Sequence, residues 1–148
     1  MPSLITEVTW EKNSDGNIPM GALRCGRDKD GGYIYLGRAY HNGDLVPAKV
    51  VPNKHCAYVG WNGSEHVKLQ YEVLCHGNVD WEKASNGSVP ISAIKVGNTD
   101  TGECLYAGRV EYEGTLTPGK IQPSHGVCYV PYGGIEHSFK NYEVLVSK

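Results

Sequence analysis

Several features are missing from this chain of 148 residues, and each absence removes a class of function. No apolar run reaches 18 residues, so no segment is expected to cross a membrane as a helix. The formal charge is only −2, which argues against nucleic acid as a partner, because binding phosphates needs a strongly basic face. No helical stripe extends beyond about two turns. There is no G-x-S-x-G, no H-E-x-x-H, no phosphate loop and no dinucleotide fingerprint. An enzyme is therefore not expected. The opening MPSLITEVTW lacks a basic start and a long apolar stretch, so no signal peptide is expected.

A paired cysteine frame is also missing. The five cysteines are Cys25, Cys56, Cys75, Cys104 and Cys128, an odd number with no C-x-x-C. The expectation is free, buried thiols in a reducing compartment, hence a cytoplasmic protein unless it is secreted non-classically. Asn62-Gly63-Ser64 and Asn86-Gly87-Ser88 match the glycosylation sequon, but without a signal peptide they are expected to stay unmodified.

What is abundant is turn chemistry. The chain has 19 glycines, and 10 tyrosines against one phenylalanine. Short alternating runs broken by Gly, Pro, Asn and Asp predict an all-β fold. Strands are expected at Val8–Lys12, Ala22–Arg27, Tyr33–His41, Leu45–Val51, Ala57–Gly60 and Tyr71–Cys75. Asn42-Gly43 is the strongest hairpin signal, since a type I′ turn needs positive φ at both central residues. Gly60 to Glu65 reads as a glycine-rich loop.

The pattern occurs twice. Arg38, Gly43, Leu45, Pro47 and Lys49 return 71 residues later as Arg109, Gly114, Leu116, Pro118 and Lys120. Trp10-Glu11-Lys12 returns as Trp81-Glu82-Lys83, Glu65-His66 as Glu136-His137, and Tyr71-Glu72-Val73-Leu74 as Tyr142-Glu143-Val144-Leu145. The register needs no gap and keeps roughly two positions in five identical. In this register Cys25 faces Val96, Cys56 faces Val127, Cys104 faces Tyr33 and Cys128 faces Ala57, as apolar fillers do. Repeat one covers about 4–75 and repeat two about 76–148. Neither alone is long enough to bury a generous core. The expectation is one compact unit of two tandem repeats of short antiparallel strands, with approximate two-fold pseudosymmetry.

The tandem W-E-x-x-S-x-G, the G-R in the long strand, G-x-L-x-P-x-K after the turn, and the closing G-x-E-H and Y-E-V-L resemble the DM-nine repeat over essentially the whole chain. That repeat occurs in invertebrate mannose-binding lectins and in the lectin-like module of natterin-type proteins. The resemblance implies that Asp28 and Lys49 contact mannose, because mannose-binding members use an aspartate and a lysine at this spacing. Residue chemistry agrees: a carboxylate can accept from two vicinal hydroxyls while an ammonium donates to the same oxygens, and both bonds are charge-assisted. A second site would involve Lys120 with Thr99 and Asp100, altered because Thr99 stands where Asp28 does.

Trp61, in the glycine loop opposite Tyr132, is a candidate for stacking on a sugar face, with Glu65 and His66 as accessory contacts. Adjacent strand residues point to opposite faces, so Glu65 and His66 are expected mainly to hold the loop. Asp28-Lys29-Asp30 opens like a calcium loop, but Ala39 sits where a bidentate glutamate belongs, so no metal or other cofactor is expected. Arg38 and Arg109 are expected to join the repeats, and Trp10 and Trp81 to pack in the core. The remaining histidines, His41, His55, His76 and His125, read as surface residues.

The sequence therefore reads as a calcium-independent lectin for mannose or mannosylated glycans. The resemblance adds innate immune recognition, and because a single monosaccharide site is weak, avidity is expected from a second site or a homodimer. The alternative is an interaction or scaffold module with the same fold and no sugar binding.

Overall fold

The computed structural model describes residues 7–148. The start of repeat one at about residue 4, and most of the opening stretch that lacks a signal peptide pattern, lie outside them. Repeat one folds into β1 (Thr9–Ser14), β2 (Arg24–Arg27), β3 (Tyr33–His41), β4 (Asp44–Val51), β5 (Cys56–Trp61), β6 (Ser64–Lys68) and β7 (Gln70–Cys75). Repeat two supplies β8 (Val79–Ser85), β9 (Lys95–Asn98), β10 (Cys104–Tyr112), β11 (Thr115–Gln122), β12 (Val127–Tyr132), β13 (Ile135–Phe139) and β14 (Asn141–Ser147). The fold is all-β, and each strand of repeat one has its counterpart at the matching place in repeat two.

The repeats are interleaved rather than set side by side. β4 of repeat one pairs with β9 of repeat two, and β11 pairs with β2. With β2–β3, β3–β4, β9–β10 and β10–β11, these pairings close an antiparallel barrel of six strands, three from each repeat. A third crossing joins β6 to β13, where Ile135 faces Ser64. There the amide of Glu65 donates to the Gly134 carbonyl and that of Glu136 to the Gly63 carbonyl, both at 3.0 Å.

The core follows this exchange. One cluster, around Val46, Val50, Val59 and Val73, belongs to repeat one, and another, around Ile121, Val130 and Val144, to repeat two. A third draws Ile34, Leu36 and Leu74 from repeat one and Val96, Ala107 and Leu145 from repeat two. Burying each large side chain there contributes about 1.5–3 kcal/mol, and only the assembled pair of repeats provides that burial. Trp10 and Trp81 pack on this shared cluster. Arg38 stacks on Trp10 at 4.1 Å, pairs with Glu72, and donates to the Val96 carbonyl of the other repeat. Arg109 does the same with Trp81, Glu143 and the Cys25 carbonyl. The arginines thus tie the repeats together, as their mid-strand position predicts.

Asn42 and Gly43 both have positive φ, 47° and 87°, and form the expected tight turn between β3 and β4. The expected loop at Gly60–Glu65 is instead a second hairpin of the same kind. Asn62 and Gly63 turn at φ 51° and 83°, and the polar stretch Ser64–Lys68 forms β6. Four of the five free cysteines are buried, and Cys104 is half-buried. Burial pushes the Cys25 and Cys128 thiols far up and Cys75 to about 11, so these thiols are packing groups.

Candidate functional site

The interleaving builds two related side-chain clusters around Lys49 and Lys120, each from both repeats. Site one starts at Lys49, in the middle of β4. Lys49 does not lie at an exposed strand end; it is only 7% exposed. Its ammonium donates to the Pro131 carbonyl at 2.5 Å and pairs with Glu65 Oε2 at 3.4 Å. Two rings flank it, Tyr58 from repeat one at 5.4 Å and Tyr132 from repeat two at 5.3 Å. Burial lowers the Lys49 pKa, and the Glu65 carboxylate opposes that shift. Burial also raises the Tyr58 phenol, so Tyr58 stays a neutral hydroxyl.

Asp28 sits at the first position of the β2–β3 turn. Its backbone amide donates to the Gly32 carbonyl at 2.8 Å, and its Oδ1 accepts from the Lys29 amide at 2.9 Å. Its other oxygen faces Lys54 Nζ at 3.8 Å. Asp28 and Lys49 are therefore not an ion pair with each other. Each is held by a different partner, Asp28 by Lys54 and Lys49 by Glu65.

Site two repeats the lysine and changes the acid. Lys120 donates to the Gly60 carbonyl at 2.8 Å, pairs with Glu136 at 3.1 Å and lies 5.4 Å from the Tyr129 ring. Thr99 is buried, and its hydroxyl accepts from the Glu103 amide at 3.0 Å while contacting Thr101. It is spent on its own turn. The Asp100 amide donates to Asp44 Oδ1 at 2.9 Å, and its Cβ lies beside the Asn42-Gly43 turn.

The accessory residues divide between the two clefts. Glu65 belongs to site one, where it holds Lys49 and accepts from the Gly134 amide at 3.2 Å. Trp61 stands at the repeat position of Tyr132, but its Nε1 donates to Asp44 at 3.1 Å and its ring meets His41. His66 lies on the Trp61 side, 3.1 Å from the Trp61 carbonyl, so it clasps the hairpin as expected. Trp61, Glu65 and His66 therefore do not form one accessory group. The reason is the alternation of β6: Glu65 points to Lys49 and His66 to the opposite face. His41 differs from the surface expectation, since its ring stacks 4.2 Å from His66 and 5.1 Å from Trp61. Burial, then Lys68 and His66, lower its pKa. Among the described residues no group of three or more His, Cys, Asp or Glu is placed to hold a metal ion.

A family profile described as the DM9 repeat matches residues 28–139. The chain belongs to the DM9 repeat family. The matched range runs from the site-one aspartate through both lysines and both Glu-His pairs. The chain is similar to natterin-3 of Thalassophryne nattereri, with 27% identity over 92% of this chain and 35% of the relative. Natterin-4 of the same fish is 38% identical over 55% of this chain and 20% of its own length. The chain thus spans about a third or less of these relatives. The crystal structure of the nematode sperm cell motility protein MFP2B superposes over 100% of this chain and 49% of its own, with a TM-score of 0.68 and 16% sequence identity. That similarity is one of fold.

The sequence pointed to Asp28, Lys49 and Glu65 but not to Tyr58, Tyr132, Lys54 or the Pro131 carbonyl. Tyr58 carried a usable signal, because it returns as Tyr129 in the repeat register. Tyr132 and Pro131 carried none, since they come from the other repeat and are exchanged for Trp61 and Gly60.

Proposed function

We propose that this DM9 protein is a lectin that binds mannose or mannose-rich glycans at site one, without calcium. The observation that carries this reading is Lys49. A buried ammonium is costly unless it is paired, and here it is pinned by Glu65 and the Pro131 carbonyl between two tyrosine rings, beside a carboxylate. An ammonium has three donors, and two are used. The third, with Asp28, offers the donor–acceptor pair that vicinal hydroxyls need. The rings supply apolar faces for the sugar's C–H surface.

Binding rather than catalysis is favoured by how the second acid is used. Glycoside hydrolysis needs two carboxyl groups working on one sugar. Glu65 is committed to Lys49 and to the Gly134 amide. The second acid of the calcium-like turn is committed as well: Asp30 accepts from the Gly32 amide. A single site of this size is expected to bind near millimolar, about −4 kcal/mol. Avidity would come from site two or a homodimer. A role in innate recognition and a reducing, cytoplasmic setting complete the proposal. The free buried thiols support the setting.

A mannose resin tests the reading. Retention is expected with and without a chelator, with elution by free mannose. Release by chelator alone would refute calcium independence, and a chain that passes through the resin and a glycan array unbound would be an interaction module instead.

A further inference from the structure

The pseudo-two-fold lays one cleft on the other, so their rims can be compared position by position. Lys29 corresponds to Asp100, Lys54 to His125 and Asp28 to Thr99. In site one, three ammonium groups surround two phenol rings. Lys49 forms the floor, 5.4 Å from Tyr58 and 5.3 Å from Tyr132. Lys29 reaches to 6.0 Å from Tyr132 on one side, and Lys54 to 5.9 Å from Tyr58 on the other. In site two Lys120 is the only ammonium so placed among the described residues, and His125 is hydrogen-bonded to the Tyr129 hydroxyl at 2.8 Å.

Two of the three acids around site one have other work. Glu65 is taken by Lys49 and Gly134. Asp30 accepts from the Gly32 amide and from Asn53. Asp28 accepts from the Lys29 amide and faces Lys54 at a long 3.8 Å. Lys29 forms no ion pair among the described residues, and it and Lys54 are both exposed. A sugar hydroxyl that engaged Asp28 would compete with its weak contact to Lys54 and leave that ammonium available.

We propose that site one selects saccharides bearing an anionic substituent, with Lys29 and Lys54 reading the charge over the Tyr58–Tyr132 cleft, and that site two does not. This rests on the sugar-binding reading above and narrows its ligand class to phosphorylated, sulfated or uronic sugars. Each exposed charge pair strengthens binding by a factor of a few, so two acting together on one phosphate give roughly tenfold. The gain is screened by salt over about 8–10 Å.

The test is calorimetry on the intact chain with mannose, mannose 6-phosphate and inorganic phosphate, at low and high salt. A second protein carries the repeat-two residues, Lys29→Asp with Lys54→His. Mannose 6-phosphate is expected to bind about tenfold tighter than mannose at low salt, with the advantage shrinking as salt rises. In the double variant the ratio of the two affinities should fall to about one. A wild-type ratio of one overturns the proposal and leaves the mannose reading standing. A ratio that survives in the double variant overturns the role of the two lysines. Inorganic phosphate binding as tightly as the phosphosugar would mean anion binding without sugar recognition, which also overturns it. Binding of neither sugar sinks both readings together.

Discussion

At the scale of single residues, Lys49 links binding to stability. It is buried and held by Glu65 and the Pro131 carbonyl, so Lys49→Ala removes more than the proposed sugar contact. It leaves Glu65 without its cation, and the expected loss is about 3–5 kcal/mol in a denaturant melt. The pH response separates the two roles. Burial lowers the Lys49 pKa below that of an ordinary lysine at 10.5. The folded state therefore carries a cost for the charged form that is fully present below the folded pKa. That cost is relieved as pH rises from the folded value to 10.5. Losing this proton should not lower stability, but it should weaken sugar binding by removing a donor. Mannose affinity is expected to decline with rising pH before an ordinary lysine would titrate, measured by titration in steps from neutral pH to 10.5. An affinity that stays flat across that range would remove Lys49 from the site.

At the scale of elements, the decisive feature is the seam where β2 meets β11 and β4 meets β9. Gly26 and Gly97 sit at equivalent points of that seam. A Cβ on Gly26 would lie 1.9 Å from the Leu116 carbonyl oxygen, and one on Gly97 would lie 1.9 Å from that of Leu45. Gly26→Ala should therefore force the strands apart and lower stability by about 1–3 kcal/mol in a thermal or urea melt. A neutral result would mean that the seam is loose. These elements were partly legible in the sequence. Alternation and turn residues located β3, β4, β5 and β7, and Asn42-Gly43 fixed its own hairpin. β6 was not legible, because Ser64–Lys68 is mostly polar and becomes a strand through pairing with β5 and contact with β13. The candidate site divides in the same way. Asp28 and Lys49 follow from the repeat and the family pattern. Tyr132 and the Pro131 carbonyl arrive by strand exchange, which no local pattern records.

At the scale of the whole molecule, the exchange makes each repeat incomplete. A fragment of residues 1–75 would lose β9, β10 and β11 from the barrel, along with Val96, Ala107 and Leu145 of the shared core cluster. It is expected to be unfolded or to self-associate, seen by circular dichroism and sedimentation, whereas a stable monomeric half would contradict the interleaved fold. Each cleft is likewise incomplete without the other repeat, since Lys49 lies between Tyr58 and Tyr132 and donates to Pro131. The composite site is proposed to bind a sugar through Asp28 and Lys49. Asp28→Asn tests it most directly, because it keeps the shape of the turn and removes only the charge. Losing a charge-assisted bond costs roughly 1.5–3 kcal/mol, which places a millimolar site beyond measurement. Calorimetry with mannose should show binding by the wild-type chain and none by Asp28→Asn, with the melting curves of the two unchanged. Equal mannose affinity in both proteins would contradict the account.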